Sequence, residues 1–272
     1  MEQKKTSKIS ILLLLVFSVV FLIPFLIMVT GSLISSKVPI GNPFTWLFQK
    51  DMSLANFMYI IKNSQYLKWF VNSLIISVIP TFFQMFFALV LGYIFAKKEF
   101  KGRDIIFWLM MAVIMVPSQI LIIPRYIIFN KLELINSYSS LIFPQIWGIM
   151  GVFFARQYML GLPKELEEAA YIDGANDFKI LFRIMLPLSK SVLATVGTFA
   201  FISCWNDLLT PLIFTTSQEM YPITVGLASL LTKEGNFGIE MAGAVYSFVP
   251  TFLIFLMLQK YFTRGIAFSG NK

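Results

Sequence analysis

Long apolar runs alternate with short charged segments along the whole chain, and the spacing predicts helices that cross a bilayer. A crossing helix needs about 20 predominantly apolar residues. Six stretches approach or exceed that length: Ile9 to Val29, Trp69 to Ala96, Ile105 to Ile123, Leu141 to Leu160, Ser191 to Phe214 and Met241 to Tyr261. The first three contain no Asp, Glu, Lys or Arg. Pro250 is expected to interrupt the sixth, which a membrane helix tolerates when neighbours satisfy the freed backbone groups. Lys4, Lys5 and Lys8 before the first run give it the basic start of a signal peptide. Its length and the lack of a small-residue cleavage site predict a retained helix instead.

The predicted fold class is therefore all-α, a polytopic membrane protein with six transmembrane helices and both termini on one side. Residues 1–68 hold the N-terminal tail, first helix and an external connection; residues 69–272 form a core of five helices that includes a cytoplasmic loop at 161–190. The two long external connections, Thr30 to Lys68 and Thr215 to Glu240, are too short to be domains. No internal repeat or low-complexity tract is visible.

Charge fixes the expected orientation. The chain carries a net charge of +8, which in a soluble protein would suggest nucleic acid, but its basic residues cluster in short loops beside the apolar runs. With the N-terminus inside, fifteen Lys and Arg fall on the cytoplasmic side and seven outside. The set Lys97, Lys98, Lys101 and Arg103 weighs most, because short loops next to span ends set topology. An N-in, C-in arrangement follows. Composition agrees: 57% of the 272 residues are hydrophobic and only 13% charged, far from the soluble average. A single Cys204 cannot form an intramolecular disulfide, and with no histidine a metal site is not expected and no cofactor is assigned to the chain.

The most informative polar segment is GLPKELEEAAYIDGANDFKILFRIMLPLSK, from Gly161 to Lys190. Pro163 suits a helix first turn, and Glu165, Glu167 and Glu168 complement the positive helix end. Gly174 can end that helix in a left-handed conformation, Asn176 or Asp177 can cap a second one running to Ile184, and Pro187 is expected to close the motif. Ala169, Ala170 and Ala175 keep bulk low near the bend. Phe178, Leu181 and Phe182 give the second helix an apolar face, and an apolar patch in a loop that should be solvated usually marks a partner.

Glu168, Ala169, Ala170, Gly174, Ile184, Leu186 and Pro187 resemble, in type and spacing, the EAA loop of ATP-binding-cassette (ABC) importer permease subunits. The resemblance implies the type I importer permease fold and a coupling helix that enters a groove on a nucleotide-binding subunit. It assigns ATPase docking to Glu168, Ala169, Ala170, Asp173, Gly174, Ala175, Phe178, Ile184, Leu186 and Pro187. The rest of the chain is similar to the carbohydrate-uptake branch, the branch that includes the maltose permease. The matching features are Asn72 and Ser73, the run Met115 to Pro124, Leu134 to Ser137, the triplet Trp205, Asn206 and Asp207, and Pro250, Gln259, Lys260 and Gly265. The tail GIAFSGNK departs from that pattern.

The resemblance implies several partners: a second, homologous permease subunit in a heterodimer, two nucleotide-binding ATPase subunits that hold ATP and Mg, an extracytoplasmic solute-binding protein, and lipid, but no nucleic acid. Tyr221, Pro222, Gly235 and Asn236 are the expected binding-protein contacts. Asn72, Trp205, Asn206 and Asp207 are candidates for the translocation cavity, with Trp205 stacking on a sugar ring. A carboxylate within a span is costly unless it meets water or a partner, so Asp207 has two readings, a cavity wall or a cap for backbone freed by Pro211. Asn72, Ser73, Gln84 and Gln119 are expected mainly to bond across helices.

The chain has no G-x-x-x-x-G-K-[ST] phosphate cradle and no convergent set of acids, bases or nucleophiles, so it is expected to be a transport subunit and not an enzyme. A self-contained secondary transporter would carry more intramembrane ionisable groups or inverted repeats. Within importers, a permease for amino acids or phosphate is the alternative to a carbohydrate permease.

Overall fold

The computed structural model describes residues 8–34, 52–231 and 237–269, and among them the regular structure is helical, with one isolated bridge between Ile34 and Met52. The chain divides into two compact units, residues 1–67 with 226–249 and residues 68–225 with 250–272.

In the first unit, α1 (Lys8–Ser32) keeps nearly its whole apolar surface exposed, as a lipid-facing helix does. Its end is tied to α2 (Ala55–Lys62) by Asn56, whose Nδ2 donates to the carbonyls of Ser32 at 3.0 Å and Ile34 at 2.8 Å. Phe25 packs on Phe248 with ring centroids 5.2 Å apart.

The second unit is organised on α3 (Ser64–Lys97), 34 residues long and so about 51 Å from end to end at 1.5 Å per residue. Against it lie α4 (Arg103–Ile114), α5 (Ile122–Lys131), α6 (Tyr138–Ile142) with the 3-10 turn Phe143–Gln145, and α7 (Ile149–Leu160). The loop helices α8 (Glu165–Ile172), α9 (Asp177–Ile180) and α10 (Leu186–Leu188) follow, then α11 (Lys190–Trp205) and α12 (Leu209–Phe214). A short α13 (Ile223–Leu231) leads to the long α14 (Phe237–Ser269). The core joins Ala88, Leu89 and Tyr93 of α3 to Ala155 and Met159 of α7, Ile180 and Met185 of the loop, and Leu193 and Val196 of α11.

Glycines set how closely these helices approach. A Cβ on Gly92 would lie 2.6 Å from the Ala155 Cβ, and one on Gly151 would lie 2.8 Å from Val196. With no hydrophobic drive between helices in lipid, such small-residue contacts supply the packing.

Several expected spans differ in form. The third does not run as one helix from Ile105 to Ile123: α4 stops at Ile114, and 115–121 forms turns before α5 begins. Pro117 explains the break, since it disfavours helical geometry in the residue before it and lacks a donor. The fourth is broken by the 3-10 turn at Pro144 and by Gly148, and the fifth is split at 206–208. Pro250, expected to interrupt the sixth, sits inside a continuous α14. Pro187 does not close the loop motif either. The helix from Asp177 continues through a π-turn at Leu181–Met185 to Leu188 and meets α11 at an angle of 78°. Four described segments are long and apolar enough to cross a bilayer by themselves, or five if that bent pair counts as one.

Candidate functional site

At the C-terminal end of α3 the loop helices form a hinged pair. Lys164 precedes α8, whose first turn holds Glu165, Glu167 and Glu168. Gly174, at φ +74°, ends α8. Its N–H donates to the Tyr171 carbonyl at 3.0 Å and that of Ala175 to the Ala170 carbonyl at 2.9 Å, the paired bonds of a Schellman ending. Asn176 caps α9, its Oδ1 accepting from the Lys179 N–H at 2.9 Å.

The ten residues assigned to docking divide by exposure. Glu168, Ala169, Asp173, Gly174, Phe178 and Pro187 face solvent, Phe178 at 70% exposure. Ala170 is buried, and Ala175, Ile184 and Leu186 are half-buried against the same core. These four support the pair from beneath, because the face of α8 that carries Ala170 must cover Tyr93 and Met159. Leu181 is also buried and Phe182 packs on the core, so the exposed apolar surface comes from Phe178 and from Ile172 at 86% exposure.

Glu167, expected only to complement the positive end of α8 and not assigned to docking, has the opposite fate from the exposed Glu168 next to it. Its carboxylate accepts from the Tyr93 hydroxyl at 2.9 Å and lies 3.9 Å from both the Lys97 and Lys98 ammonium groups. Its position three residues before Ala170 on one helix face was the available signal. Lys97 also donates to the Leu162 carbonyl at 2.7 Å. Lys98 donates to Asp177 at 2.8 Å and bonds Tyr171, which bonds Asp177 in turn. Burial alone would lower the Lys98 pKa, but hydrogen bonds to Asp177, Tyr171 and Tyr93 outweigh it and hold the ammonium above its ordinary value. The same bonds from Lys98 and Tyr171 hold Asp177 below the usual carboxylate range. Beside them Arg156 lies over the Phe107 ring at 4.1 Å and 3.6 Å from Asp104.

At the other end of α3, Asn72 is buried and fully engaged. Its Nδ2 donates to the Glu219 and Tyr221 carbonyls at 2.7 and 2.9 Å, and its Oδ1 accepts from the Tyr138 hydroxyl at 2.7 Å. Ser73 Oγ accepts from the Ile223 N–H at 2.8 Å. Asn72 is thus a clasp for the segment before α13 and is not among the residues that line the cavity beside Asp207. Of the expected binding-protein contacts, Tyr221 is half-buried and Pro222 buried, which withdraws Pro222 from any surface role; Gly235 and Asn236 lie outside the described residues.

Trp205, expected to stack on a sugar, is buried between Phe201, stacked at 5.4 Å, and Phe70, edge-on at 5.6 Å. Asn206 is exposed and ends α11. Asp207 both bonds the start of a helix and borders a cavity. Its Oδ1 accepts from the Thr210 N–H at 3.2 Å and caps α12, while Oδ2 accepts from Gln145 Nε2 at 3.1 Å. Pro211 cannot donate to the Asp207 carbonyl, and the Thr224 hydroxyl takes that place at 2.9 Å. The carboxylate also borders a cavity of about 350 Å³ whose other walls include Gln84, Gln119, Arg125, Gln145 and Trp147.

Long apolar helices, a charged hinged pair at one end of α3 and a polar cavity partway along it describe a polytopic membrane protein. Residues 88–268 match the family described as the binding-protein-dependent transport system inner membrane component. The chain belongs to that family. It is 37% identical over 278 residues, covering all of both chains, to the arabinooligosaccharides transport system permease protein AraQ of Halalkalibacterium halodurans, and 37% identical to AraQ of Bacillus subtilis, covering 96% of this chain and 94% of that one. Its fold is similar to that of a chain in the crystal structure of a bacterial ABC transporter involved in the import of the acidic polysaccharide alginate. The TM-score is 0.80 at 22% identity, covering 93% of this chain and 95% of that one.

Proposed function

We propose that this permease subunit forms half of the translocation pathway of an ABC importer for a sugar or oligosaccharide. In this reading a solute-binding protein delivers the cargo outside, two ATPase subunits bind ATP and Mg inside, and a second permease subunit supplies the other half of the path. The observation that carries it is the exposed hinge around Gly174, where Glu168, Ala169, Asp173, Ile172 and Phe178 present one acidic and apolar surface on helices anchored to α3. Such a surface can take up motion from a docked ATPase and pass it along α3 to the cavity. The similarity to permeases named for arabinooligosaccharides supports a carbohydrate cargo.

Six crossings with both termini inside are part of the proposal. They require α4 with α5, and α11 with α12, each to act as one broken span. The contact of Lys97 and Lys98 with the hinged pair supports placing both loops on the cytoplasmic side, where basic residues collect.

Co-expression with the partner subunits, followed by purification and ATP-driven uptake in proteoliposomes, tests the reading. An ATPase should co-purify and uptake should need ATP. Uptake without ATP, or a complex that never retains an ATPase, overturns it. Uptake of an amino acid or phosphate in place of a saccharide would select the alternative cargo.

A further inference from the structure

Three helix breaks converge on the cavity beside Asp207. The first, 115–121, contributes Gln119; the second, around Pro144 to Gly148, contributes Gln145 and Trp147; the third, 206–208, contributes Asp207. The fourth wall is Gln84 of α3. Gln84 stands 20 residues after Ser64 and 13 before Lys97, about 30 and 20 Å from the two ends of α3 at 1.5 Å per residue, so the cavity lies within the length of that helix and away from both of its ends. Broken backbone at that depth persists where it lines a polar cavity, and discontinuous helices with midplane polar groups are how membrane transporters build cargo sites.

The polar walls are held in place. Gln84 Nε2 donates to the Gln145 carbonyl at 2.6 Å, and Gln145 Nε2 donates to Asp207. Gly148 makes room for this, since a Cβ there would lie 2.6 Å from Gln84 Oε1. Trp147 is 63% exposed and stacks on Phe87 at 4.9 Å with the planes 15° apart, which fixes one indole face as a platform. The Arg125 guanidinium borders the cavity with no side-chain hydrogen bond or ion pair among the described residues. One guanidinium, one carboxylate and three amides make a lining that is neutral overall and rich in both donors and acceptors.

We infer that this cavity is a saccharide subsite within this subunit, in which Gln119, Gln145, Arg125 and Asp207 bond hydroxyls of a neutral sugar and Trp147 stacks on its apolar face. The inference rests on the importer reading above. Hydroxyls both donate and accept, so they match the amides, the carboxylate and the guanidinium together, and the opposite charges of Asp207 and Arg125 leave no net charge in the lining to select an acidic sugar. The volume falls at the lower end of the 300–1,000 Å³ typical of small-molecule sites and suits part of a short saccharide.

The test uses the full importer with its partner subunits and binding protein in proteoliposomes. The probes are radiolabelled neutral trisaccharides of hexose and of pentose, and a uronate trisaccharide. Trp147→Ala and Gln119→Ala are expected to lower uptake of the neutral probe by about tenfold, while Trp147→Phe, which keeps an aromatic face, stays near the parent. Trp108→Ala, at a tryptophan of similar 65% exposure on α4 outside the cavity, should match the parent. Parent-like uptake by both alanine variants at normal complex levels overturns the subsite, as does an equal loss in Trp108→Ala. A parent that prefers the uronate probe, or that holds an ATPase and takes up neither neutral probe, overturns the neutral-sugar assignment. A parent complex that recruits no ATPase overturns the importer reading itself, and the subsite with it.

Discussion

Replacing Glu167 with Gln should release the hinged pair from α3 while leaving the exposed surface proposed for docking chemically unchanged. The Glu167 side chain is 10% exposed and that of Lys97 is 4% exposed, with 3.9 Å between their charges. At that distance an effective dielectric of about 20 gives a gross attraction of about 4 kcal/mol. The amide keeps the Tyr93 hydrogen bond but leaves the buried Lys97 ammonium without the Glu167 charge, its hydrogen bond among the described residues going to the Leu162 carbonyl. Removing one partner of a buried pair costs about 3–5 kcal/mol. The residual carbonyl contact and the long separation place the loss near 3 kcal/mol, roughly a hundredfold in the opening equilibrium of α8. Hydrogen exchange of amides 165–175 in the assembled complex reads that opening, and coupling is read as saccharide imported per ATP hydrolysed. Glu167→Gln should raise both exchange and ATP consumed per sugar. Glu168→Lys should leave exchange unchanged and reduce the ATPase retained on purification. Unchanged exchange in Glu167→Gln would refute the clasp, and equal exchange in both variants would refute the division of labour between neighbouring carboxylates.

Gly174→Val meets open space around its new Cβ, so its cost comes from the φ of +74° alone, about 1–2 kcal/mol; it should uncouple ATP hydrolysis from uptake, and Gly174→Asn should do so less. Gly92→Val must push against Ala155 Cβ at 2.6 Å, an overpacking cost of about 1–3 kcal/mol that should show as a lower yield of folded subunit. Asn72→Leu removes three hydrogen bonds and strands the Glu219 and Tyr221 carbonyls and the Tyr138 hydroxyl, at about 1–3 kcal/mol for each polar group left buried; limited proteolysis should then cut near 216–221, and parent-like resistance would remove the clasp. The Lys98–Asp177 link has a defined pH window. Asp177 is depressed, so its contribution is present above the ordinary carboxylate pKa and lost as pH falls through its lower folded value; Lys98 is raised, so its contribution persists until strongly alkaline pH. Exchange of the hinge should therefore be flat from about pH 5 to 9. Because Asp177 is largely exposed, Asp177→Asn should cost less than about 1 kcal/mol.

The elements read best from the sequence were those whose signals are local. The Glu-rich first turn of α8, Gly174 at the left-handed ending and Asn176 as a cap are each dictated by backbone groups within four residues, and all three stand as the residue types require. Apolar run length likewise placed α1, α3 and α14. Exposure within the hinged pair was not legible in the same way. Ala169 and Ala170 are chemically identical, and only the neighbouring Tyr93 and Met159 decide that one is surface and the other core.

The polar site was legible least, because hydropathy is an average over a window and a break in a helix costs that average little. Pro117, Pro144 and Pro211 each sit in runs apolar enough to pass as spans. Each removes a donor or restricts the preceding residue, so a carbonyl or N–H is set free at membrane depth and something must pair with it. Thr224 pairs with the Asp207 carbonyl, the Asp207 carboxylate with the Thr210 N–H, and Gln84 with the Gln145 carbonyl. The polar side chains that gather for this reason also line the cavity. Asp207 therefore did not have to be either a cap or a cavity wall, because capping a broken helix is what brings its carboxylate there. Trp205 points the same way: being large and aromatic beside Asp207 made it the evident sugar platform, but α11 turns it onto Phe201 and leaves the exposed indole face to Trp147, across the break in the preceding span.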